Sequence, residues 1–341
     1  MSVSESVATW DRAHLEPLVD RVSNIAPVQF RQQQQQAILN FTQQGWPTRQ
    51  LEAWKYSPLT QFNQQTLALP SAISPGSVSD ETINRFKVPA ANVIVLIDGC
   101  LSPSHSDLDE ITKQVTVSFN DDVSLDDHQA YFDQAVKNID PLLQLNAGLL
   151  TQSLVLRVAP RTHVATPLQV LQYFTSQSNA QMHHAALRIE LGESAQLTLL
   201  QEYACEDQLF FLHNQVVDLE LAANAKLQHF ELQRFAKTAS LVSHYRVKQQ
   251  RDASWHYCSA QLGAAFSRQA ITTDLLDSAA HCSLIGFTHV DGQRHSDTHI
   301  LINHAASHTT SQQFFRNLLD DAGRTVFTGK AKVHEGICSI T

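Results

Sequence analysis

A short polar break recurs between residues 153 and 333 and restricts what this part of the chain can form. Each break has a central alanine, and these alanines lie 30, 28 and 26 residues apart: Ala195, Ala225, Ala253 and Ala279. Runs of alternating or continuous apolar residues flank every break. Such runs favour strands, and a fixed period of this length is typical of stacked units that bury no face alone. We therefore predict a parallel β-helix, a solenoid of sheet with two strands per coil.

The chain preceding these repeats predicts helices and one entry strand. We expect a helical N-terminal domain with a linker over residues 1–90 and a β-helix core over residues 91–341. The core begins with an apolar strand at Asn92–Ile97, closed by an Asp-Gly turn signal. It includes a helical excursion near residues 124–146, which Pro141 divides into two pieces.

The N-terminal domain carries clear helix signals. An interrupted apolar stripe over residues 10–22 predicts one helix, and Pro27 opens a second that ends at Gly45. The apolar face of the second helix is formed by Phe30, Ala37, Ile38 and Phe41. The glutamine tract at residues 32–36 lies inside it, and we interpret this tract as one solvated helix face. Thr48 can cap a further short helix that carries Trp54.

Composition excludes several classes of protein. The formal net charge of −9, with no run of Lys or Arg longer than two, argues against nucleic-acid binding. No segment reaches the 18 apolar residues of a membrane span, and residues 1–5 show no secretory signal. The five cysteines are odd in number and never form a Cys-x-x-Cys pair, which fits a reducing compartment. We therefore expect a cytoplasmic protein.

Catalytic motifs are also missing from the sequence. It holds no G-x-x-x-x-G-K-[ST], no G-x-G-x-x-G and no G-x-S-x-G pattern. We therefore predict that the protein is not an enzyme. If it serves an ATP-driven process, a partner must bind the nucleotide.

Two segments carry a family resemblance. Residues 45–59 resemble a segment of SufD proteins, members of the SufB/SufD family of the SUF iron–sulfur cluster assembly system. The matching residues in it are Gly45, Pro47, Arg49, Glu52, Trp54, Lys55 and Tyr56. Residues 307–333 look like the strand–turn–strand common to SufB and SufD, with matching residues Gly323, Arg324, Phe327 and Gly329. We call the first stretch the signature segment.

The resemblance implies a helical N-terminal domain, a right-handed parallel β-helix and a C-terminal helical domain. It also implies a scaffold in a complex with SufB and the ATPase SufC. The sequence departs from this pattern because it stops at Thr341, before a Cys-x-His segment associated with the cluster site and the helices that dock SufC. We therefore expect a truncated form, and its docking to SufC is doubtful because the helices that dock SufC in the family are missing. We expect no tightly bound cofactor, with an iron–sulfur cluster present only transiently or at a partner interface.

A crowd of histidines suggests an alternative site. Six of the 17 histidines lie within residues 281–308. Among them, His295, Asp297 and His299 alternate along a predicted strand and would project from one face. Imidazole and carboxylate ligands suit iron or zinc, but residues two apart lie about 6.5–7 Å apart, so a tight chelate needs a ligand from a neighbouring coil. Stacked polar ladders are the alternative. Cys258 and Cys282 lie one repeat apart and could stack as a buried thiol ladder or contact a metal.

The signature segment also admits two interpretations. Trp54, Lys55 and Tyr56 could form a recognition patch, or Trp54 could pin the short helix onto the solenoid through its large apolar ring. Arg49 and Glu52, three residues apart, could pair with each other.

Three functions follow from these observations. The first is a non-enzymatic scaffold for iron–sulfur cluster assembly that pairs with SufB and SufC. The second is a β-helix carbohydrate lyase or hydrolase, and the third is a metal-binding, self-assembling β-solenoid. Because the last coil would lack a cap, we also expect a homodimer or larger oligomer.

Overall fold

The computed structural model describes most of the chain. The described residues are Leu15, 28–59, Phe62, 67–70, 75–136 and 139–336, without the side chains of Val28 and Val136. The helix predicted over residues 10–22, most of the linker and Cys338 fall largely or wholly outside this set.

The described part contains five α-helices and sixteen strands. The helices are α1 (Arg31–Gln44), α2 (Asp80–Asn84), α3 (Leu108–Ile111), α4 (Leu125–Val136) and α5 (Pro141–Gly148). The first eight strands are β1 (Asn92–Ile97), β2 (Cys100–Leu101), β3 (Val115–Phe119), β4 (Gln152–Val158), β5 (Leu168–Phe174), β6 (Gln181–Leu191), β7 (Gln196–Cys205) and β8 (Phe211–Leu221). The next eight are β9 (Lys226–Arg234), β10 (Ser240–Gln249), β11 (Ser254–Gln261), β12 (Phe266–Leu275), β13 (His281–Val290), β14 (His295–His304), β15 (Thr310–Leu319) and β16 (Arg324–Val333).

The strands form two eight-stranded sheets between which the chain alternates. Sheet A has the order β16-β14-β12-β10-β8-β6-β4-β3, and sheet B has the order β15-β13-β11-β9-β7-β5-β1-β2. Each strand from β4 to β16 pairs in parallel with the strand two positions along the chain. Among the described strands, antiparallel pairs occur only at the first end, between β1 and β2 and between β3 and β4. The predicted parallel β-solenoid is confirmed.

One set of corners explains the repeat seen in the sequence. At each corner a residue with positive φ precedes a fully buried small residue; the pairs are Ser194-Ala195, Asn224-Ala225, Asp252-Ala253, Ala279-Ala280 and His308-Thr309. The amide N–H of the positive-φ residue donates to the next coil in three cases, as Ser194 does to the Ala223 carbonyl at 2.9 Å. The fourth repeated alanine is therefore Ala280 and not Ala279. Its corner holds one more residue than the corner before it, which shifts the buried position.

The space between the two sheets is apolar at one side and polar at the other. The apolar side is a single cluster to which alternate residues of both sheets contribute side chains. Its members include Leu219, Leu227, Tyr257 and Ile300. The polar side is lined by buried side chains, of which Glu231 is the acidic member. Tyr245 donates its hydroxyl to the Glu231 carboxylate, and the Gln261 side chain donates to it at 2.8 Å.

Helices cover the outer face of sheet A. The apolar face of α1 packs with α5 against outward side chains of the sheet, including Met182, Leu212 and Val242. Asp140 caps α5 by accepting from the Leu142 amide at 2.9 Å, with Pro141 in the first turn, so the predicted break is confirmed. The glutamine tract is not wholly solvated. Gln34 is fully buried because it lies one turn before Ile38 on the packed face.

Among the described helices, none is long and apolar enough to cross a membrane.

Candidate functional site at the signature segment

The signature segment forms a closed loop after α1. Gly45 ends α1 with φ 70°, a left-handed conformation that glycine adopts without strain. The chain then makes a 3₁₀ turn at Glu52–Trp54, and the Leu59 amide donates to the Pro47 carbonyl at 3.0 Å. This hydrogen bond closes the loop at its base. Its tip therefore projects onto the outer face of sheet A.

Trp54 anchors the tip. Its side chain is buried, and its indole Nε1 donates to Asp140 Oδ2 at 2.8 Å. Asp140 also caps α5, so one carboxylate joins the signature segment to a helix 86 residues later. The predicted role of Trp54 as a pin onto the solenoid is confirmed.

Arg268 holds the segment from the sheet side. Its Nη2 donates to the Ala53 carbonyl at 2.7 Å, and its guanidinium carbon lies 4.1 Å from the Trp54 ring centroid. The same guanidinium forms an ion pair with Asp297 on the neighbouring strand. A cation over an indole ring is a favourable contact that strengthens on desolvation. Arg268 therefore links β14 to the signature segment through one side chain.

The outward residues of β14 continue beneath the loop. Ser57 Oγ lies 2.8 Å from His295 Nε2, and the His295 ring stacks on Phe266 at 5.5 Å between centroids. Burial lowers the pKa of His295, and burial followed by the Arg268 charge lowers the pKa of His299. Both imidazoles are therefore neutral near pH 7, and each can donate one hydrogen bond and accept another.

A pocket of about 390 Å³ lies between the signature segment, the start of α5 and the last two strands of sheet A. Its apolar lining includes Leu51, Trp54, Tyr56, Ile139 and Val326. Its polar lining is formed by Glu52, Asp140, Asp297, His299, Thr328 and Lys330. The two segments that carry the family resemblance thus contribute to one cavity, although 247 residues (60–306) separate them.

The three metal candidates of β14 lie on one outer face, as expected from their alternation, but two of them are already engaged by other side chains. Asp297 is engaged by Arg268, which neutralises the one carboxylate of the proposed ligand set. His295 is occupied by Ser57, and His299 faces the pocket. Across the described residues there is no group of three or more His, Cys, Asp or Glu side chains that could hold a metal ion.

The cysteines do not form a ladder, so that prediction was wrong. Cys282 lies opposite Trp255 and is buried between the sheets, whereas Cys258 lies opposite Ile285 and is exposed. The two side chains point to opposite faces because they differ by an odd number of register steps. Burial raises the pKa of Cys282 to about 12, which makes this thiol unreactive.

The second family segment forms β15, the turn that follows it and β16. A side chain at Gly323 would place Cβ 2.8 Å from the Val290 carbonyl oxygen, and one at Gly329 would place it 2.7 Å from Gln313 Oε1. Close backbone approach therefore requires glycine at position 323, whereas at position 329 the flexible end of the Gln313 side chain could move aside. Phe327 packs its ring against Phe315 at 4.9 Å, and Arg324 is exposed.

The remaining signature residues are at the surface. Arg49, Glu52, Lys55 and Tyr56 are exposed, and Lys55 Nζ lies 5.5 Å from the Tyr56 ring centroid. Within the described residues Arg49 and Glu52 do not form the ion pair suggested by their spacing. Sequence reasoning missed Arg268 and Asp140. An arginine inside a strand and an aspartate before a helix-opening proline were the available signals.

Comparisons with known proteins match nearly the whole described chain. The family model for the SufBD protein N-terminal region matches residues 19–170, and the model for the SUF system FeS cluster assembly SufBD core domain matches residues 173–337. The chain belongs to the SufBD family. The boundary between the two family models, at residues 170–173, lies within β5 of this SufBD protein.

Two curated relatives extend the comparison. An iron–sulfur cluster assembly SufBD family protein of Synechocystis sp. is 22% identical over 302 residues, covering 84% of this SufBD chain and 66% of the relative. The iron–sulfur cluster assembly protein SufD of Escherichia coli K12 is 24% identical over 304 residues, covering 88% of this chain and 69% of that protein. The chain thus spans about two thirds of the length of these relatives.

Proposed function

We propose that this SufBD protein is a non-catalytic scaffold subunit that pairs with a SufB-type subunit and works with a SufC-type ATPase. Family membership supports a role in iron–sulfur cluster assembly, and the two adjoining family matches are the observation that carries this proposal. The absence of a nucleotide-binding motif in the sequence is consistent with a separate ATPase.

The fold suits a scaffold. A parallel β-solenoid offers long, regular faces on which other subunits can dock, since each coil adds outward side chains in register. Two groups of outward side chains are already engaged by the chain itself, because helices cover much of sheet A. We propose that an iron–sulfur cluster contacts this chain only in passing, at an interface with a partner.

The other two functions receive less support. A carbohydrate-processing solenoid needs acids and bases converging in an open groove, whereas several acidic residues of sheet A pair with arginines, as Asp218 does with Arg246 and Asp297 with Arg268. A metal-storing solenoid needs clustered ligands, which the described residues do not supply.

Co-purification tests the proposal. The tagged chain is co-expressed with SufB-type and SufC-type subunits, beside E. coli SufD with its own partners as a positive control. We expect the SufB-type subunit to elute with the tagged chain in equal amount, and iron and sulfide to be recovered after reconstitution only when that subunit is present. Failure to retain the SufB-type subunit, with the control intact, would reject the proposal.

A further inference from the structure

We propose that the pocket beneath the signature segment binds an acidic peptide segment of a partner protein, with one aliphatic or aromatic side chain inserted between Tyr56, Ile139 and Val326. The inference rests on the proposed scaffold function and deepens it by assigning a partner-binding site and the chemistry of its ligand.

The apolar walls are available to a ligand. Ile139 is 80% exposed and Tyr56 is 53% exposed, yet both line the same cavity. They come from separate elements, the segment before α5 and the signature loop, and β16 contributes Val326 from the opposite side. Large apolar side chains converging on a concavity are the usual receptor for a buried anchor residue at a protein interface.

The anionic groups of the pocket floor are already satisfied. Asp297 is paired with Arg268, and Asp140 accepts from the Trp54 indole. In contrast, the side chains of His299, Thr328 and Lys330 form no hydrogen bond or ion pair within the described residues. All three side chains can donate a hydrogen bond to a ligand. The groups left to meet a ligand therefore favour hydrogen-bond acceptors.

Basic side chains lie along the β16 side of the pocket. Arg324, Lys330 and Lys332 occupy alternate positions of β16 and so lie on the same outer face of sheet A. Lys55 adds a fourth cation beside Tyr56. Glu52 is the carboxylate at the rim that has no partner in the described part of the chain. This cationic region stands out on a chain of net charge −9 and complements an acidic ligand.

The size of the cavity sets the class of ligand. A volume of about 390 Å³ lies near the lower end for ligand pockets and admits an anchor side chain with its adjacent backbone. An apolar anchor surrounded by a charged rim is typical of peptide recognition, in which burial supplies affinity and the rim supplies specificity.

Fluorescence anisotropy of a labelled peptide tests this site on the isolated chain. The probe is acetyl-Glu-Asp-Glu-Leu-Phe-Glu-Asp-Glu-amide carrying fluorescein. One comparison peptide replaces Leu-Phe by Ser-Ser, and another replaces every acidic residue by lysine. We expect the probe to bind, both comparison peptides to bind at least about tenfold more weakly, and affinity to fall as salt rises because exposed charges are screened.

Surface variants locate the binding. Lys330→Glu combined with Lys332→Glu should weaken the probe about tenfold or more, and Ile139→Ser should weaken it about fivefold, because each removes an exposed group at the pocket. On sheet B, Leu318→Ser is the control for the apolar change, and Lys226→Glu is a control that reverses one exposed charge; each should alter affinity less than about twofold.

Equal binding of the lysine peptide, or equal loss in the sheet A and sheet B variants, would overturn the inference. The assay contains no SufB-type subunit, so its failure is distinct from failure of the co-purification test.

Discussion

Arg268 and Asp297 form a buried ion pair between directly opposite residues of β12 and β14. Their side chains are 1% and 4% exposed. The pair lies on the outer face of sheet A, beneath the signature segment, and Arg268 also donates to the Ala53 carbonyl. It therefore joins two coils to the N-terminal part of the chain.

Breaking this pair from one side should be costly. Arg268→Met leaves the Asp297 carboxylate buried without a cation, and we expect a loss of about 3–5 kcal/mol in the free energy of unfolding. Replacing both residues, with Asp297→Leu added, should recover much of that loss because no buried charge remains. Urea unfolding of the two single variants and the double variant measures the coupling. A double variant as unstable as the sum of the singles would contradict this account.

Trp54 should hold the signature segment on the sheet. Trp54→Ala removes a buried indole and should cost about 3–5 kcal/mol, whereas Trp54→Phe keeps an aromatic ring and should cost about 1–2 kcal/mol. Limited trypsin digestion provides a local measurement, since Arg49 and Lys55 flank the anchor. We expect cleavage after these two residues to accelerate in Trp54→Ala more than in Trp54→Phe. Unchanged cleavage would mean that other contacts fix the segment.

Stability should fall steeply in acid. Burial lowers the pKa of His183, His184, His213 and His229 to about 3 and that of His244 to about 4. Near pH 5 these five histidines therefore take up about five protons when the protein unfolds. Glu231, which is protonated in the folded state, releases about one proton on unfolding, so the net uptake is about four. The stability that neutral histidines contribute is present above pH 6.5 and is lost as pH falls below it, at a slope of roughly 5 kcal/mol per pH unit.

Urea titrations at several pH values between 7 and 5 measure this slope. His213→Gln should reduce it by about one proton, roughly 1.4 kcal/mol per pH unit, while the exposed His163→Gln serves as the matched control. A slope equal in both variants would show that the buried histidines are not the source.

Glu231 should act in the opposite direction. Burial raises the pKa of this carboxyl to about 7 from its usual 4.5, so the folded state holds a proton that the unfolded state releases. Its contribution to stability is full below pH 4.5 and is lost as pH rises through 7. Glu231→Gln removes this ionisation. The unfolding free energy of the variant minus that of the unmodified protein should therefore increase by about 2–3 kcal/mol as the pH rises from 5.5 to 8.5. A pH-independent difference in unfolding free energy would contradict this.

The exposed and buried cysteines should differ in their reactivity toward alkylating reagents. Cys258 is exposed, whereas Cys100 and Cys282 are buried with pKa raised to about 11 and about 12. We expect iodoacetamide to modify Cys258 in the folded protein and to reach the other two only in denaturant, as peptide mass spectrometry would show. Rapid modification of Cys282 in the folded state would place it outside the solenoid.

The sequence predicted the solenoid and the Trp54 anchor because both depend on local signals. The corner period and the alternation of strands determine which residues face inward, and a tryptophan in a short 3₁₀ turn has few other places to bury its ring. The helix pieces around Pro141 and the end of α1 at Gly45 followed from the same local chemistry.

What the sequence did not predict depends on register between coils. The partner of Asp297 is Arg268, 29 residues earlier, and this offset depends on the length of each corner. The predicted stacking of Cys258 with Cys282 was wrong for the same reason, because the register between their strands places neither cysteine opposite the other. The buried polar row around Glu231 was also missed, because its glutamines, tyrosines and histidines satisfy one another only once several coils are stacked.

The contact between Arg268 and the carbonyl of Ala53 spans 215 residues of sequence. During synthesis, the loop that carries Trp54 leaves the ribosome long before the strand to which it docks exists. At about 5–20 residues per second, this interval lasts roughly 10–40 seconds. Over that time the face of the indole ring that Arg268 covers has no native contact, so this part of the signature segment stays accessible on the nascent chain until β12 has been made.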